Sequence, residues 1–289
     1  MVTDTITTTR RKAPLGEGVK TIIHPSRGWV KLDLSELWQY RELLYFLAWR
    51  SIKVRYKQTL IGAGWAVIHP VLAMVVFSVF FGRLVGIQSE GLPYPVFAFA
   101  ALVPWTYFSN ALRDAASAVV EHQRLITRVY FPRLILPVSA VLSGLIDCAI
   151  SVAVLLAIAF GYKIKLTLAV LTLPLFLALA TLTALGVGLW LSAFNALYRD
   201  VRHALPFLIQ LWLFATPVVY PSSIVPDPWR ILYGLNPMVG VIEGFRWALF
   251  EHVQASGSLL VVSILVAVVN LLFGLYYFRR MERTFADLV

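Results

Sequence analysis

The sequence predicts an all-α membrane protein of six transmembrane helices, and three observations carry that reading. The first is the spacing of charge. Uncharged runs of 25, 22 and 24 residues separate Lys57 from Arg83, Glu90 from Arg113 and Arg202 from Asp227. Runs of 33 and 27 residues separate Lys165 from Arg199 and Glu251 from Arg279, and the 29 residues between Arg133 and Lys163 hold only Asp147. About 20 apolar residues cross a hydrocarbon core, so each run is long enough for a span. The second is composition: 59% hydrophobic residues, 14% charged residues and a mean hydropathy of +0.77 describe a chain whose solvent is lipid. The third is the placement of the basic residues, which gather in alternate hinges. Counting Lys and Arg close to the span ends gives 13 on the side of the N-terminus and 5 on the other, which puts both termini in the cytoplasm.

These features exclude several functions. A water-soluble enzyme does not have this hydropathy. The net charge of +10 is spread over hinges and a tail, whereas nucleic-acid binding needs one continuous basic patch. Cys148 is the only cysteine, so no intrachain disulfide forms, and no Cys/His spacing suits a metal. Arg10, Arg11 and Lys12 are followed by polar sequence, which does not read as a signal peptide.

Taken in order, residues 1–32 form a mostly flexible cytoplasmic tail rich in Thr and basic residues. Residues 33–57 form an amphipathic helix. Asp33 and Glu36 have capping-box spacing, and Leu34, Leu37, Trp38, Arg41, Leu44, Tyr45, Ala48, Trp49 and Ile52 recur with helical period. Its Trp and Tyr rings suit the headgroup layer, and Arg50, Lys53, Arg55 and Lys57 reach anionic phosphates. Two readings of this helix stay open: a membrane anchor, or part of a docking groove for a cytoplasmic partner. The spans fall at about 63–82, 94–112, 134–161, 167–193, 204–220 and 257–278 within a permease-like domain of residues 58–280, followed by a cytoplasmic tail, 281–289.

Between the second and third spans, Ala115–Thr127 reads either as a solvated loop or as a short amphipathic helix. In the helical reading Val119, Leu125 and Ile126 are apolar, and Glu121, His122, Gln123 and Arg124 are exposed. After the fifth span, Pro217, Pro221, Pro226 and Pro228 break the chain, and Trp229–Leu235 and Met238–Phe250 read as two short re-entrant helices parted by Asn236 and Pro237. Glu243 and Arg246 there are spaced to pair on one face. Asp147 is a single acid deep in a span. It is either bonded across helices or part of a transport path, and without a visible partner it is no proton relay. His69, directly before Pro70, reads either as part of a helix kink with a satisfied imidazole or as a titrating switch.

No catalytic motif accompanies these segments. The chain has no Gly-x-Ser-x-Gly elbow, no His-Glu-x-x-His helix and no Gly-x-x-x-x-Gly-Lys-Ser/Thr phosphate loop. It is therefore not read as an enzyme and holds no cofactor of its own. ATP-driven work would require another chain to bind the nucleotide.

Several motifs resemble those of the permeases of polysaccharide ABC exporters. They are Arg55-Tyr56-Lys57-Gln58-Thr59 with Gly62, Gly64, Trp65 and Pro70; Tyr130-Phe131-Pro132-Arg133; Asn195 to Val201; Pro217 to Pro221; and Leu235 to Met238 with Glu243-Gly244-Phe245-Arg246. They cover about residues 30–280 in the family's order and look most like the permeases that export O-antigen and lipopolysaccharide. The resemblance implies a homodimer in the bacterial inner membrane, bound to two copies of a cytoplasmic ABC ATPase that carries ATP and Mg. The implied substrate is a polyprenyl-diphosphate-linked polysaccharide, with capsule, teichoic acid or a small lipid or drug as alternatives. It makes 33–57 an interface helix, with Trp38, Arg41, Tyr45, Trp49, Arg55 and Lys57 as its key residues. It assigns ATPase coupling to Glu121, His122, Gln123, Arg124 and Arg128, and a periplasmic gate to Asn236, Pro237, Glu243 and Arg246. Channel lining falls to Phe77, Phe80 and Phe81 in the first span and Phe207, Trp212, Phe214 and Tyr220 in the fifth. Aromatic faces suit the C–H faces of sugar rings.

Overall fold

The computed structural model describes residues 34–57, 64–198, 200–250, 257–282 and 285. The tail 1–32, the Asp33 cap, the motif residues Gln58, Thr59, Gly62 and Arg199, and the last four residues lie outside that set. Among the described residues every regular element is helical. In order they are α1 (Leu34–Gln39), α2 (Arg41–Lys57), α3 (Gly64–Phe77), α4 (Tyr94–Glu121), α5 (Gln123–Ile126), α6 (Ile135–Gly161), α7 (Leu173–Leu197), α8 (Val201–Phe214), α9 (Asp227–Tyr233), α10 (Pro237–Leu249) and α11 (Gly257–Met281). A π-helical segment, Ser78–Leu84, extends α3, and a 3₁₀ turn, Leu168–Thr172, leads into α7.

Four of these segments are long and apolar enough to cross a membrane: Gly64–Leu84, Ile135–Gly161, Leu168–Leu197 and Gly257–Met281. The second expected span, α4, has 28 residues but is not among the four. The physical reason is its position. Its residues from Val96 to Leu112 are buried almost without a break, and it packs on α3, α6, α7, α8 and α10. Surrounded by protein rather than lipid, α4 accommodates Pro104, Trp105, Tyr107, Ser109 and Asn110. The fifth expected span, 204–220, is shorter than its uncharged run: α8 stops at Phe214, 14 residues long, and residues 215–220 turn back before Pro221.

The amphipathic helix expected over 33–57 is interrupted at Tyr40, and its protein-facing stripe is rotated from the expected one. Leu37, Tyr40, Leu43, Leu44 and Leu47 pack against Val119, Ile126, Phe131, Leu134 and Ile135 at one end of the bundle. Trp38, Tyr45, Phe46 and Trp49 face outward instead. The sequence pattern mixes two apolar faces, one packed on protein and one aromatic face turned outward, which periodicity alone merges. The helix expected at Ala115–Thr127 is likewise divided. Its first half completes α4, and only the four-residue α5 follows His122.

The frame of the bundle is drawn tight where α7 crosses α11. A Cβ added to Gly274 would meet the carbonyl oxygen of Gly186 at 2.2 Å, so the backbones touch and only glycine fits. Replacing Gly274 with Val is expected to separate the two helices and cost about 1–3 kcal/mol, seen as a lower melting temperature of the purified protein in nanodiscs. Gly161→Ala, where an added Cβ meets nothing within 4 Å, leaves that temperature nearly unchanged. Equal melting of the Gly274 variant and the parent would refute the crossing.

Candidate functional site

A polar site is built where α2 reaches the bundle. The last turn of α2 brings Arg55 and Tyr56 to its protein face, three and four residues beyond Ile52. Arg55 Nη1 donates to Asp147 Oδ2 on α6, and Arg55 Nη2 donates to Asp114 Oδ2 on α4 at 3.0 Å. Tyr56 Oη donates to Asp147 Oδ1, which gives both oxygens of that carboxylate a donor from α2. Burial first, then the bond to Asp147, pushes the Tyr56 phenol up to about 12, so it remains a neutral donor at physiological pH. Asp147, a single acid in its span by sequence, thus has two partners 91 and 92 residues away. Ser151 Oγ binds the Asp147 carbonyl and the Ala66 carbonyl of α3 at 2.9 and 3.0 Å, which joins a fourth helix to the cluster.

Beside this cluster lies a cavity of about 300 Å³ between α2, α3, α4 and α6. Trp65, His69 and Asn110 stand exposed at its margin. The His69 ring lies 5.3 Å from that of Trp65, at an exposed place on α3, while Pro70 is buried. Asp114 and Asn110 escaped the sequence reading, which held Trp65 only as a motif residue and gave it no role at a site. Nothing local marks them, although an acid inside a span is itself a signal to search other helices for a cation.

A second polar cluster occupies the turn after α8. The buried chain from Pro217 to Val219 is not helical, so its carbonyls need other donors. Arg246 Nη2 donates to Val218 O at 3.1 Å, Tyr94 Oη to Val219 O at 2.7 Å and Arg246 Nη1 to Tyr220 O at 3.5 Å. Arg246 is 1% exposed, lies 3.6 Å above the Phe97 ring and pairs with Glu243 at 3.7 Å, as their spacing predicts. Asn236 caps α10 by accepting from Met238 N at 3.1 Å and also accepts from Trp212 Nε1 at 3.0 Å. Its amide donates to Ala215 O and Thr216 Oγ1 at 3.2 and 2.8 Å. Pro237 is buried at the start of α10. The four expected gate residues therefore gather at one end of α8–α10, around a turn they hold in shape.

The expected channel aromatics divide into two groups. Phe80, Phe207 and Phe214 face outward, at 55%, 64% and 51% exposure. Phe77 and Phe81 pack edge to face against one another, Trp212 packs on Phe108, and Tyr220 binds Tyr233 Oη at 3.0 Å. At the other end, Glu121, Arg124 and Arg128 are exposed, whereas His122 and Gln123 are half-buried. His122 Nδ1 lies 2.9 Å from the Ala118 carbonyl. Arg41 and Lys53 lie over the Trp38 and Trp49 rings, and Lys57 is exposed. Arg133 binds Glu282 through its backbone N at 2.9 Å, which fastens the start of α6 to the chain beyond α11. Among the described residues no three His, Cys, Asp or Glu side chains are grouped to hold a metal.

Residues 42–250 match the family described as ABC-2 type transporter. The chain belongs to this family. The match covers the polar cluster under α2, the α4–α6 hinge and the turn held by Arg246. The ABC-2 chain is also 32% identical, over 87% of its own length and 97% of the relative's, to the O-antigen export system permease protein RfbA of Myxococcus xanthus. It is 24% identical, over 86% of its length and 95% of the relative's, to the protein of the same name in Klebsiella pneumoniae. To the polysialic acid transport protein KpsM of Escherichia coli it is 24% identical, over 81% of its length and 91% of the relative's. The kinship with polysaccharide ABC exporter permeases expected from its motifs is met, and the chain is an integral membrane protein.

Substituting Arg55 with Met leaves two carboxylates without their shared cation and is expected to cost about 1–3 kcal/mol. It should also loosen α2. In a Cys148→Ser background, a cysteine placed at Ser51, on the bundle side of α2, becomes more reactive to a maleimide when Arg55 is replaced. An unchanged labelling rate would show that the ion pairs do not hold the helix.

Proposed function

We propose that this chain is the permease subunit of an ATP-driven exporter that moves lipid-linked polysaccharide, such as O-antigen on a polyprenyl diphosphate, across the bacterial inner membrane. The observation that carries this reading is the 32% identity to an O-antigen export permease over nearly the whole of both chains. In it the chain works as a homodimer with two copies of a cytoplasmic ABC ATPase, which bind the ATP and Mg. Six spans with both termini inside follow if α4 and α8 cross with the four apolar segments. The 13-to-5 basic asymmetry of the sequence supports that orientation.

Uneven burial supports the dimer and the channel. Only 6% of the most apolar stretch of the first span is buried, against 22–33% for the other three apolar segments. Leu72, Val76 and Phe80 of that span and Phe207, Leu211 and Phe214 of α8 are exposed. A second copy is the partner that covers such faces, with the outward phenylalanines as the wall for a passing glycan. The hinge Glu121–Arg128 serves as the contact for the ATPase, because α5 within it shares one apolar cluster with α2 and the start of α6, through which a push on the hinge would reach both. The re-entrant α9 and α10 serve as the gate at the outer end, with the Arg246 and Asn236 bonds tying α10 to the turn after α8. The kinship with a polysialic acid transport protein favours capsule-type glycan as the second substrate class.

Deleting the gene tests the reading. The expected result is loss of surface glycan together with lipid-linked glycan accumulating inside; normal display without accumulation overturns it. For the hinge, Glu121→Arg combined with Arg124→Glu is expected to lower ATP turnover of the reconstituted complex several-fold while the melting temperature holds. Unchanged turnover rejects the hinge as the contact.

A further inference from the structure

Trp65, which lines the cavity under α2, stands on the same side of α3 as the exposed residues that the export reading assigns to the channel wall. Trp65, Leu72, Val76 and Val79 are all exposed and recur at i, i+7, i+11 and i+14, which places them along one side of the helix. Trp65 thus stands at the end of that exposed row where α2 attaches, beside the cavity opening. The volume of about 300 Å³ is at the small end of ligand sites, enough for one pyranose ring and too small for a folded oligosaccharide.

The chemistry of the wall narrows the ligand. Two carboxylates, Asp114 and Asp147, engage Arg55, the one Lys or Arg among the described lining residues, while Arg113 acts on Asp114 from outside the lining, so a phosphate or diphosphate entering the cavity would meet two acids there. Each oxygen of Asp147 already accepts one bond from α2 and has a further lone pair to offer. Asn110 adds an exposed amide that both donates and accepts. Planar carboxylates and an amide answer the paired hydroxyls of a sugar, and the Trp65 ring offers a face to its C–H side. A lipid tail would leave these polar groups unmatched.

We propose that this cavity is a binding subsite for a single neutral sugar ring of the glycan, at the end of the bundle where α2 joins α3. The proposal takes the source of the ring from the export reading, but the contact itself is measurable without transport. The probe is a panel of methyl hexopyranosides and methyl N-acetylhexosaminides, followed by saturation-transfer NMR on the full chain in lipid nanodiscs. At least one glycoside is expected to receive saturation. Trp65→Ala and Asn110→Leu, both at the exposed margin and outside the ion pairs, are each expected to weaken that binding about tenfold, equivalent to about 1.4 kcal/mol. Tyr162→Ala, at the far end of α6, leaves it unchanged.

Three results overturn the subsite: no transfer to any glycoside from a chain with parental melting temperature, binding that neither margin variant alters, or displacement of the sugar by inorganic diphosphate. Any of these, found in a strain where gene deletion abolishes surface glycan, rejects the subsite and leaves the export reading intact. Sugar contact in a chain whose deletion leaves surface glycan normal rejects the export reading alone.

Discussion

One guanidinium organises the end of this bundle. Arg55 reaches from α2 to carboxylates on α4 and α6, and Tyr56 completes the set. Side chains half-screened from solvent interact more strongly than surface pairs, yet each would be a liability without the others. The cluster therefore works as a joint: α2 is fixed by direction and not only by apolar contact. Leu47 and its neighbours supply the burial, which by itself would let a helix slide or roll on the bundle.

The opposite end obeys the same rule with different parts. Three successive carbonyls in the turn after α8 cannot be satisfied by helix geometry, and Tyr94 and Arg246 supply donors from two other helices. Burying Arg246 this completely is tolerable because Glu243, the Phe97 ring and the carbonyls all meet the charge. The irregular backbone, the buried cation and the helix cap at Asn236 are thus one structural unit. No member of it can be altered without exposing the demands of the rest.

How much of this the sequence reveals depends on the range of the interaction. The charge-free runs locate the bundle helices, and prolines mark the α8–α10 turn, because length and local chemistry decide those features. The Glu243–Arg246 pair is visible for the same reason, being three residues apart on one helix. Asp147 is visible only as a question, since its partners lie more than 90 residues away. The roll of α2 is also hidden, because tryptophan and leucine score alike as apolar although one set meets the outside and the other meets protein. The enclosure of α4 is hidden too, since a helix walled by other helices has no need of the composition that lipid imposes.

The contact between Gly186 and Gly274 has a mechanical meaning. Where two backbones touch, there is no side chain left to compress or re-pack, so α7 and α11 behave as a stiff strut. The first span and α8, by contrast, have few neighbours to resist them. Any strain applied at the α2 end is therefore distributed unequally: the strut transmits it unchanged, and the sparsely held helices deform. Compliance in this chain is concentrated along the exposed aromatic and aliphatic faces of the first span and α8.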